Sequence, residues 1–79
     1  MDISDIEQLT QITKSLNRIY EEVETLKEQE EDSFYSLPDD EQHYLWRDIA
    51  FENVEDLNSV LEELDVIIDK IHQIKQNNE

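Results

Sequence analysis

The chain contains no glycine and a single proline, Pro38, in 79 residues. Sheet proteins need frequent turns, and turns draw mainly on Gly, Pro, Asn and Asp. One strong break near the middle instead favours two helices joined by one turn. The absence of cysteine excludes disulfides and thiolate metal sites. The sequence therefore predicts an all-α fold of one small domain.

The first half carries apolar residues at alternating spacings of three and four. They are Leu9, Ile12, Leu16, Ile19, Val23 and Leu26. This is a heptad pattern with Leu9 at position a and Ile12 at position d, typical of a coiled-coil-like helix. Asp2 or Ser4 is suited to cap its start. We expect helix 1 to cover about residues 3–32.

The second half repeats the pattern after Pro38, which is followed by three acidic residues suited to a helix N-terminus. The sequence predicts a turn at about 33–37 and a second helix over about 38–76. Its apolar rows are Ala50, Leu57, Leu64 and Ile71 at a; Trp46, Val60, Ile67 and Ile74 at d; and Val54, Leu61 and Ile68 at e. Apolar residues depart from the heptad near 46–51, so a bend there is an alternative.

Pairing the two helices about this turn predicts an antiparallel helical hairpin with Leu9 near Leu61 and Leu26 near Tyr44. Helix 2 then outruns helix 1, and its C-terminal isoleucines lack cover. A second copy would cover them, giving a four-helix bundle. The expected oligomer interface is Leu61, Ile67, Ile68, Ile71 and Ile74.

The net charge is −16, from 22 acidic and 6 basic residues. Such a field repels nucleic acids and anionic membranes and attracts basic protein surfaces. No apolar run is long enough to span a membrane, and no secretory signal is visible at the start. We expect a cytoplasmic protein whose partner is a protein with a basic surface, with no direct binding to nucleic acid or membrane.

Paired carboxylates at helical spacing raise a catalytic alternative, because helical nucleotide pyrophosphohydrolases hold magnesium with such pairs. The candidates are Glu21 with Glu24, Glu52 with Glu55 or Asp56, and Glu62 with Asp65. The predicted heptad places them on outer positions, whereas a metal site in a bundle needs inward carboxylates. His43 and His72 each follow an aspartate by three residues, but no inward glutamate completes either site. We expect neither an enzyme nor a cofactor or metal site.

Two candidate binding surfaces remain. Five of the six aromatic residues fall between Phe34 and Phe51, where they either plug the hairpin tip or form a contact patch. The acidic flanks are either a solvated face or a mimic of nucleic acid, at one net charge per roughly 3.6 Å over a helix of about 58 Å. The expected partner-binding residues are Tyr35, Tyr44, Leu45, Trp46, Asp48, Glu52, Glu55, Asp56, Glu62 and Glu63.

The segment Phe34-x-x-Leu37-Pro38-Asp39, followed by a periodic stretch from Asn53 to Leu64, resembles a loose group of small acidic helical-hairpin proteins of bacteriophages and mobile elements. The resemblance covers about half the chain and implies a phage-related origin. The Tyr44-Leu45-Trp46 segment departs from that group, in which small polar residues are expected.

Together these observations favour a non-enzymatic inhibitor of the anti-defence type, as anti-CRISPR proteins are. Its acidic surface would occupy the basic nucleic-acid-binding site of a host enzyme. The alternative is an oligomeric adaptor or small-ligand sequestering protein that works through the aromatic turn.

Overall fold

The computed structural model describes residues 1–36 and 44–79. Two helices account for nearly all of this part of the chain: α1, Ile3–Ser36, and α2, Tyr44–Asn77. Contacts between residues far apart in sequence show that the helices are antiparallel. The N-terminal amine lies 3.4 Å from the Asn78 side-chain oxygen, and the rings of Phe34 and Phe51 lie 6.1 Å apart. The predicted all-α hairpin is confirmed.

Local hydrogen bonds fix the free ends of both helices. The Asp2 carboxylate accepts a hydrogen bond of 2.9 Å from the backbone N–H of Asp5. Asp2 is therefore the N-cap of α1, and Ser4, the other expected cap, lies inside the helix. At the end of α2, the Asn78 side-chain amide donates to the carbonyl of Ile74 at 2.8 Å. Lys75 in the last turn places a positive charge at the negative end of the helix dipole.

The seam between the helices follows positions a and e of the predicted heptads rather than a and d. Residues that are buried or half-buried recur at spacings of three and four in both helices. At positions a and e they are, in α1, Ile6, Leu9, Thr13, Leu16, Tyr20, Val23, Lys27, Glu30 and Phe34 and, in α2, Arg47, Ala50, Val54, Leu57, Leu61, Leu64, Ile68, Ile71 and Lys75; Thr10 and Glu31, at b, are also half-buried. The expected d row is therefore wrong as a seam row, because the helices are rotated to bury the e row.

The pairing of the helices also differs from the expected one. The Asn53 side-chain amide donates to a Glu30 carboxylate oxygen at 3.2 Å, and Leu26 lines a groove with Leu57 rather than lying near Tyr44. Residue i of α1 thus lies opposite about residue 84 − i of α2, two heptads from the expected pairing. Because two heptads are a whole number of repeats, the periodic pattern alone could not distinguish the two pairings.

This pairing removes the expected overhang of helix 2. Each helix has 34 residues, and α1 continues to Ser36, through most of the segment expected to turn at 33–37. The rest of that turn, the predicted helix start at Pro38 and the His43 candidate lie outside the described residues. α2 is continuous through 46–51, where a bend was an alternative.

The hairpin has a thin core. Within the described residues, the buried hydrophobic side chains are Ala50, Leu61 and Ile68, and no side chain is completely enclosed. Thr13 is also buried, and its hydroxyl donates to the Leu9 carbonyl at 2.9 Å, so this polar group is satisfied within its own helix. The chain is a rod with Cα extents of 60 × 15 × 11 Å.

Candidate interaction surfaces

One long side of the rod is apolar. The d row of each helix lies outside the seam. At 100° per residue, it is rotated by about 80° around the helix axis from the middle of the seam. Because α2 runs antiparallel to α1, both d rows flank the same edge of the seam. The residues of this apolar face are Ile12, Ile19 and Leu26 of α1 and Val60, Ile67 and Ile74 of α2. Their exposed fractions run from 40% for Val60 to 49% for Leu26, so a continuous hydrophobic stripe faces solvent.

The opposite side of the rod is acidic. Positions b and f of both helices point there, and in the half of the rod near the turn they carry mostly carboxylates. The residues of this acidic face are Glu21, Glu24, Glu28, Glu31, Asp48, Glu55, Glu62, Asp65 and Asp69. All are exposed except Glu31, which is half-buried. The same half of the rod has three acids, Glu22, Asp56 and Glu63, on the side of the apolar face.

Charge is also uneven along the rod. Residues 15–36 lie beside residues 48–69 and together hold fifteen acids and two bases, a net charge of −13. Residues 1–14 and 70–79 form the other end, where four acids and three bases leave a net charge of −1. The pairing of the helices therefore gathers nearly all the negative charge at the turn end.

Tyr20 connects the seam to the acidic face. Partial burial raises the pKa of its phenol, and the Asp65 carboxylate adds to the increase through its negative charge and a hydrogen bond. Glu24 raises the pKa further, whereas Lys27 lowers it. Lys27 also forms an ion pair of 3.4 Å with Glu31 one turn later. These contacts hold two carboxylates of the acidic face close to the seam.

An aromatic patch lies at the turn end. Tyr35 is 80% exposed and Trp46 is 62% exposed, and Tyr44 and Leu45 are also exposed. Of the two alternatives for the aromatic residues, Trp46 does not plug the hairpin, because its d position lies outside the seam. Phe34 occupies the seam instead, edge-on to Tyr35 at 5.1 Å and with the Arg47 guanidinium 5.1 Å from its ring centre.

The ten residues expected to bind a partner are all exposed, but they do not form one surface. Asp48, Glu55 and Glu62 belong to the acidic face, while Asp56 and Glu63 border the apolar face. Glu52 points away from the seam between them. The four residues Tyr35, Tyr44, Leu45 and Trp46 make up the aromatic patch, which wraps around the turn end. Tyr35 lines a groove on the acidic side, and Trp46 lines another on the side of the apolar face.

The residues expected to form an oligomer interface fall into two groups, one in the seam and one on the apolar face. Leu61 and Ile68 are buried between the two helices of a single chain, and Ile71 is half-buried in the same seam. These three side chains pack within a single chain, contrary to the expectation that they contact a second copy. Ile67 and Ile74 are exposed and belong to the apolar face.

Sequence reasoning missed two groups of residues. Ile12, Ile19 and Leu26 were assigned to the seam, because a and d are the usual seam positions and the α1 e row contains Thr13 and Lys27. The informative signal was the aromatic side chains at e, Tyr20 and Phe34, opposite an aliphatic e row in α2. The α1 members of the acidic face were missed because a seam at a and d would turn the b and f rows of the two helices outward, away from each other.

The carboxylate pairs considered for catalysis are exposed on the outside of the hairpin. A metal site in a helical bundle needs carboxylates that project inward. Residues 1–36 and 44–79 contain no group of three or more His, Asp or Glu side chains placed to hold a metal ion. His72 lies on an exposed position of α2.

No protein-family model matches the sequence, and neither the curated proteins nor the solved structures contain a significant match to it. Neither described helix is long and apolar enough to cross a membrane.

Proposed function

We propose that this protein is a non-enzymatic inhibitor whose acidic face binds a basic, nucleic-acid-binding surface of another protein. The observation that carries the proposal is the concentration of carboxylates on one side of a pair of continuous helices. The resemblance to acidic hairpins of phages and mobile elements supports a partner among host defence enzymes.

Charge spacing supports a mimic of nucleic acid. The acidic half carries a net charge of −13 over 22 residues of each helix, about 33 Å at 1.5 Å per residue. This is one net negative charge per about 2.5 Å, compared with one per about 1.7 Å in double-stranded DNA. A single hairpin therefore approaches the charge density of the duplex without a second copy beside it.

The helical scaffold supports the same proposal. Each carboxylate of the acidic face stands on a continuous helix, so its position along the rod is set by the backbone. A basic groove that binds the regular phosphates of a duplex needs its anionic ligand to be similarly ordered. The few bases in this half, Arg18 and Lys27, do not interrupt the carboxylate rows at b and f.

The test is a matched pair of charge-neutralising variants. The first replaces three acids of the acidic face, Glu55→Gln, Glu62→Gln and Asp69→Asn. The control replaces three acids that lie off it, with the same change in net charge. These are Glu52→Gln, Asp56→Asn and Glu63→Gln.

Each protein serves as bait for host lysate, and the affinity for the captured protein is then measured at several salt concentrations. We expect the first variant to lose affinity by at least about 10-fold and the control to lose much less. Wild-type binding should weaken steeply with salt and compete with duplex DNA. Nanomolar binding that is insensitive to salt would contradict the proposal.

A second candidate function is an adaptor or small-ligand sequestering protein that works through the aromatic patch. Its support is the exposure of Tyr35, Tyr44 and Trp46 at one end of the rod, since exposed Tyr and Trp are frequent binding hot spots. In that case Tyr35→Ala with Trp46→Ala should abolish capture of the partner at unchanged helix content. The acidic-face variant should then bind normally.

A further inference from the structure

The apolar face is exposed in the single chain, and we propose that a second copy of this chain covers it. The two copies pack antiparallel, so that the turn end of each lies against the end of the other that holds the chain termini. The two hairpins form a four-helix bundle through Ile12, Ile19, Leu26, Val60, Ile67 and Ile74. This interface differs from the one expected from sequence, and it leaves the acidic face of each copy outward.

The area available matches what a dimer needs. The accessible surface of the chain is 6163 Å², whereas a compact monomer of 9.5 kDa exposes about 5,000 Å². In this packing the rods overlap over about 54 Å, twice the distance along α1 from Ile19 to Met1 at 1.5 Å per residue. Across the 15 Å width of the rod, the contact covers about 800 Å² per copy, or about 1,600 Å² in total. That lies within the range of specific protein interfaces. Burial of this face would also complete the thin core of each hairpin.

The distribution of charge favours a second copy as the occupant. The acidic face is on the opposite side of the rod, so two apolar faces can meet without bringing the main carboxylate rows together. Each apolar row also has three side chains at equal spacing, so that it is symmetric about its middle residue. Ile19 is the middle of its triplet in α1 and Ile67 is the middle of its triplet in α2, at nearly the same height. A two-fold axis through this height therefore sets each apolar side chain against another.

Charge also selects the direction of packing. Parallel hairpins would stack two turn ends, each with a net charge of −13, and would bring Glu22 close to Glu63 of the other copy. Antiparallel hairpins set each acidic end against a nearly neutral one. In that arrangement α2 lies beside α2, and residues whose numbers sum to about 134 face each other. Glu63 of one copy then lies near Lys70 of the other, twice in each dimer.

This packing leaves the aromatic patch free. Trp46 is 21 residues from Ile67 along α2, about 31 Å at 1.5 Å per residue. The part of the other copy that reaches furthest is Met1, 18 residues from its own Ile19, about 27 Å. Trp46 therefore lies just past the end of the other copy. Tyr35 is at an f position on the acidic side, so neither candidate binding surface is covered.

The chain has no cysteine, so single cysteines report the packing directly. In the antiparallel dimer, Ile19→Cys lies at the two-fold axis and forms a disulfide with itself under mild oxidation. Asn17→Cys on the opposite side is the matched control and should remain monomeric on a non-reducing gel. A mixture of Ile12→Cys and Leu26→Cys should give the mixed disulfide.

Light scattering of the wild-type protein is the independent measurement, because it needs no substitution. A mass of about 19 kDa, twice that of the chain, is expected at micromolar concentration. A mass of 9.5 kDa, or one above the dimer, overturns the proposal. A disulfide between Ile19→Cys and Ile67→Cys in the absence of the Ile19→Cys self-disulfide overturns the antiparallel packing.

The contact at the edge is tested by charge reversal. Lys70→Glu should weaken the dimer by about 5-fold or more, and adding Glu63→Lys in the same chain should restore it. Lys14→Glu makes the same change in net charge on the opposite side of the rod and is the control. An equal effect of Lys14→Glu would contradict the proposed contact.

Discussion

The two long sides of this rod are built from the same heptads and differ in nearly every physical respect. The apolar face has six aliphatic side chains, each two-fifths to one-half exposed, with few charges among them. The acidic face has nine carboxylates along the half of the rod near the turn. Rotation of both helices by about 50°, from a seam at a and e to one at a and d, would bury the first surface. The comparison shows that the choice of seam, rather than the composition, decides which surfaces the hairpin offers.

The largest expected effect is a difference in the free energy of unfolding between a substitution in the seam and one on the apolar face. Leu61 is 7% exposed, and its neighbour in sequence, Val60, is 40% exposed. We expect Leu61→Ala to lower the free energy of unfolding by about 2–4 kcal/mol, because it leaves a cavity between the helices. Val60→Ala should cost less than about 1 kcal/mol at chain concentrations too low for self-association. Urea unfolding followed by circular dichroism measures both, and equal losses would mean that the seam is misassigned.

A charge on the apolar face tests whether that face is an interface. Ile19→Asp should weaken self-association by at least about 30-fold, because the carboxylate would be buried at the two-fold axis without a partner. The control Asn17→Asp adds the same charge on the acidic side and should change the dimer little. Sedimentation velocity over a range of concentrations gives both values, with circular dichroism to verify that the helices persist.

A pair of acids tests whether the acidic face acts as one surface across both helices. Glu24→Gln and Asp65→Asn remove one carboxylate from each helix, and Glu22→Gln with Asp56→Asn is the control on the other side. We expect the first pair to reduce partner affinity by about 3- to 10-fold and the control pair by less than about 2-fold. Titration calorimetry with the captured partner distinguishes them, and indistinguishable affinities would show that only net charge matters.

The smallest effect concerns Tyr20, where the seam meets the acidic face. Since the phenol pKa is raised in the folded chain, the neutral form is favoured there. Its contribution to stability is complete below the ordinary tyrosine pKa and is lost as pH rises through the raised value. Asp65→Asn should lower the Tyr20 pKa, which is measured by ultraviolet titration with Tyr20→Phe as reference. An unchanged Tyr20 pKa in the Asp65→Asn variant would contradict the contact between Tyr20 and Asp65.

The fold was predictable from sequence because its strongest signals are local. The absence of glycine, the single proline and the repeats of three and four residues specify two amphipathic helices without reference to their packing. The pairing of the helices was not predictable, because a shift of two heptads preserves the phase of every apolar row. The seam was not predictable either. α2 carries apolar side chains at a, d and e, and only the folded hairpin, in which Thr13, Leu61 and Ile68 are buried, shows that e is a seam row.

For the candidate surfaces, the exposure of the residues was predictable from sequence, whereas their grouping into surfaces was not. Exposed acids follow from composition, and all ten residues expected to bind a partner are exposed. Their division among an acidic face, the border of an apolar face and an aromatic patch depends on the seam. The α1 half of the acidic face depends on the seam as well, since the rotation that buries the e row brings the b and f rows of both helices to one side.

The two faces respond to salt in opposite directions, and this is the most direct test of the account. Screening reduces the repulsion between two chains of net charge −16, whereas it weakens attraction to a basic partner. We predict that the dimer dissociation constant, measured by analytical ultracentrifugation, falls about 3- to 10-fold between about 50 mM and about 500 mM NaCl. A dimer that dissociates as salt rises would show that ionic contacts hold it together, and would contradict the separation of an apolar interface from an acidic binding face.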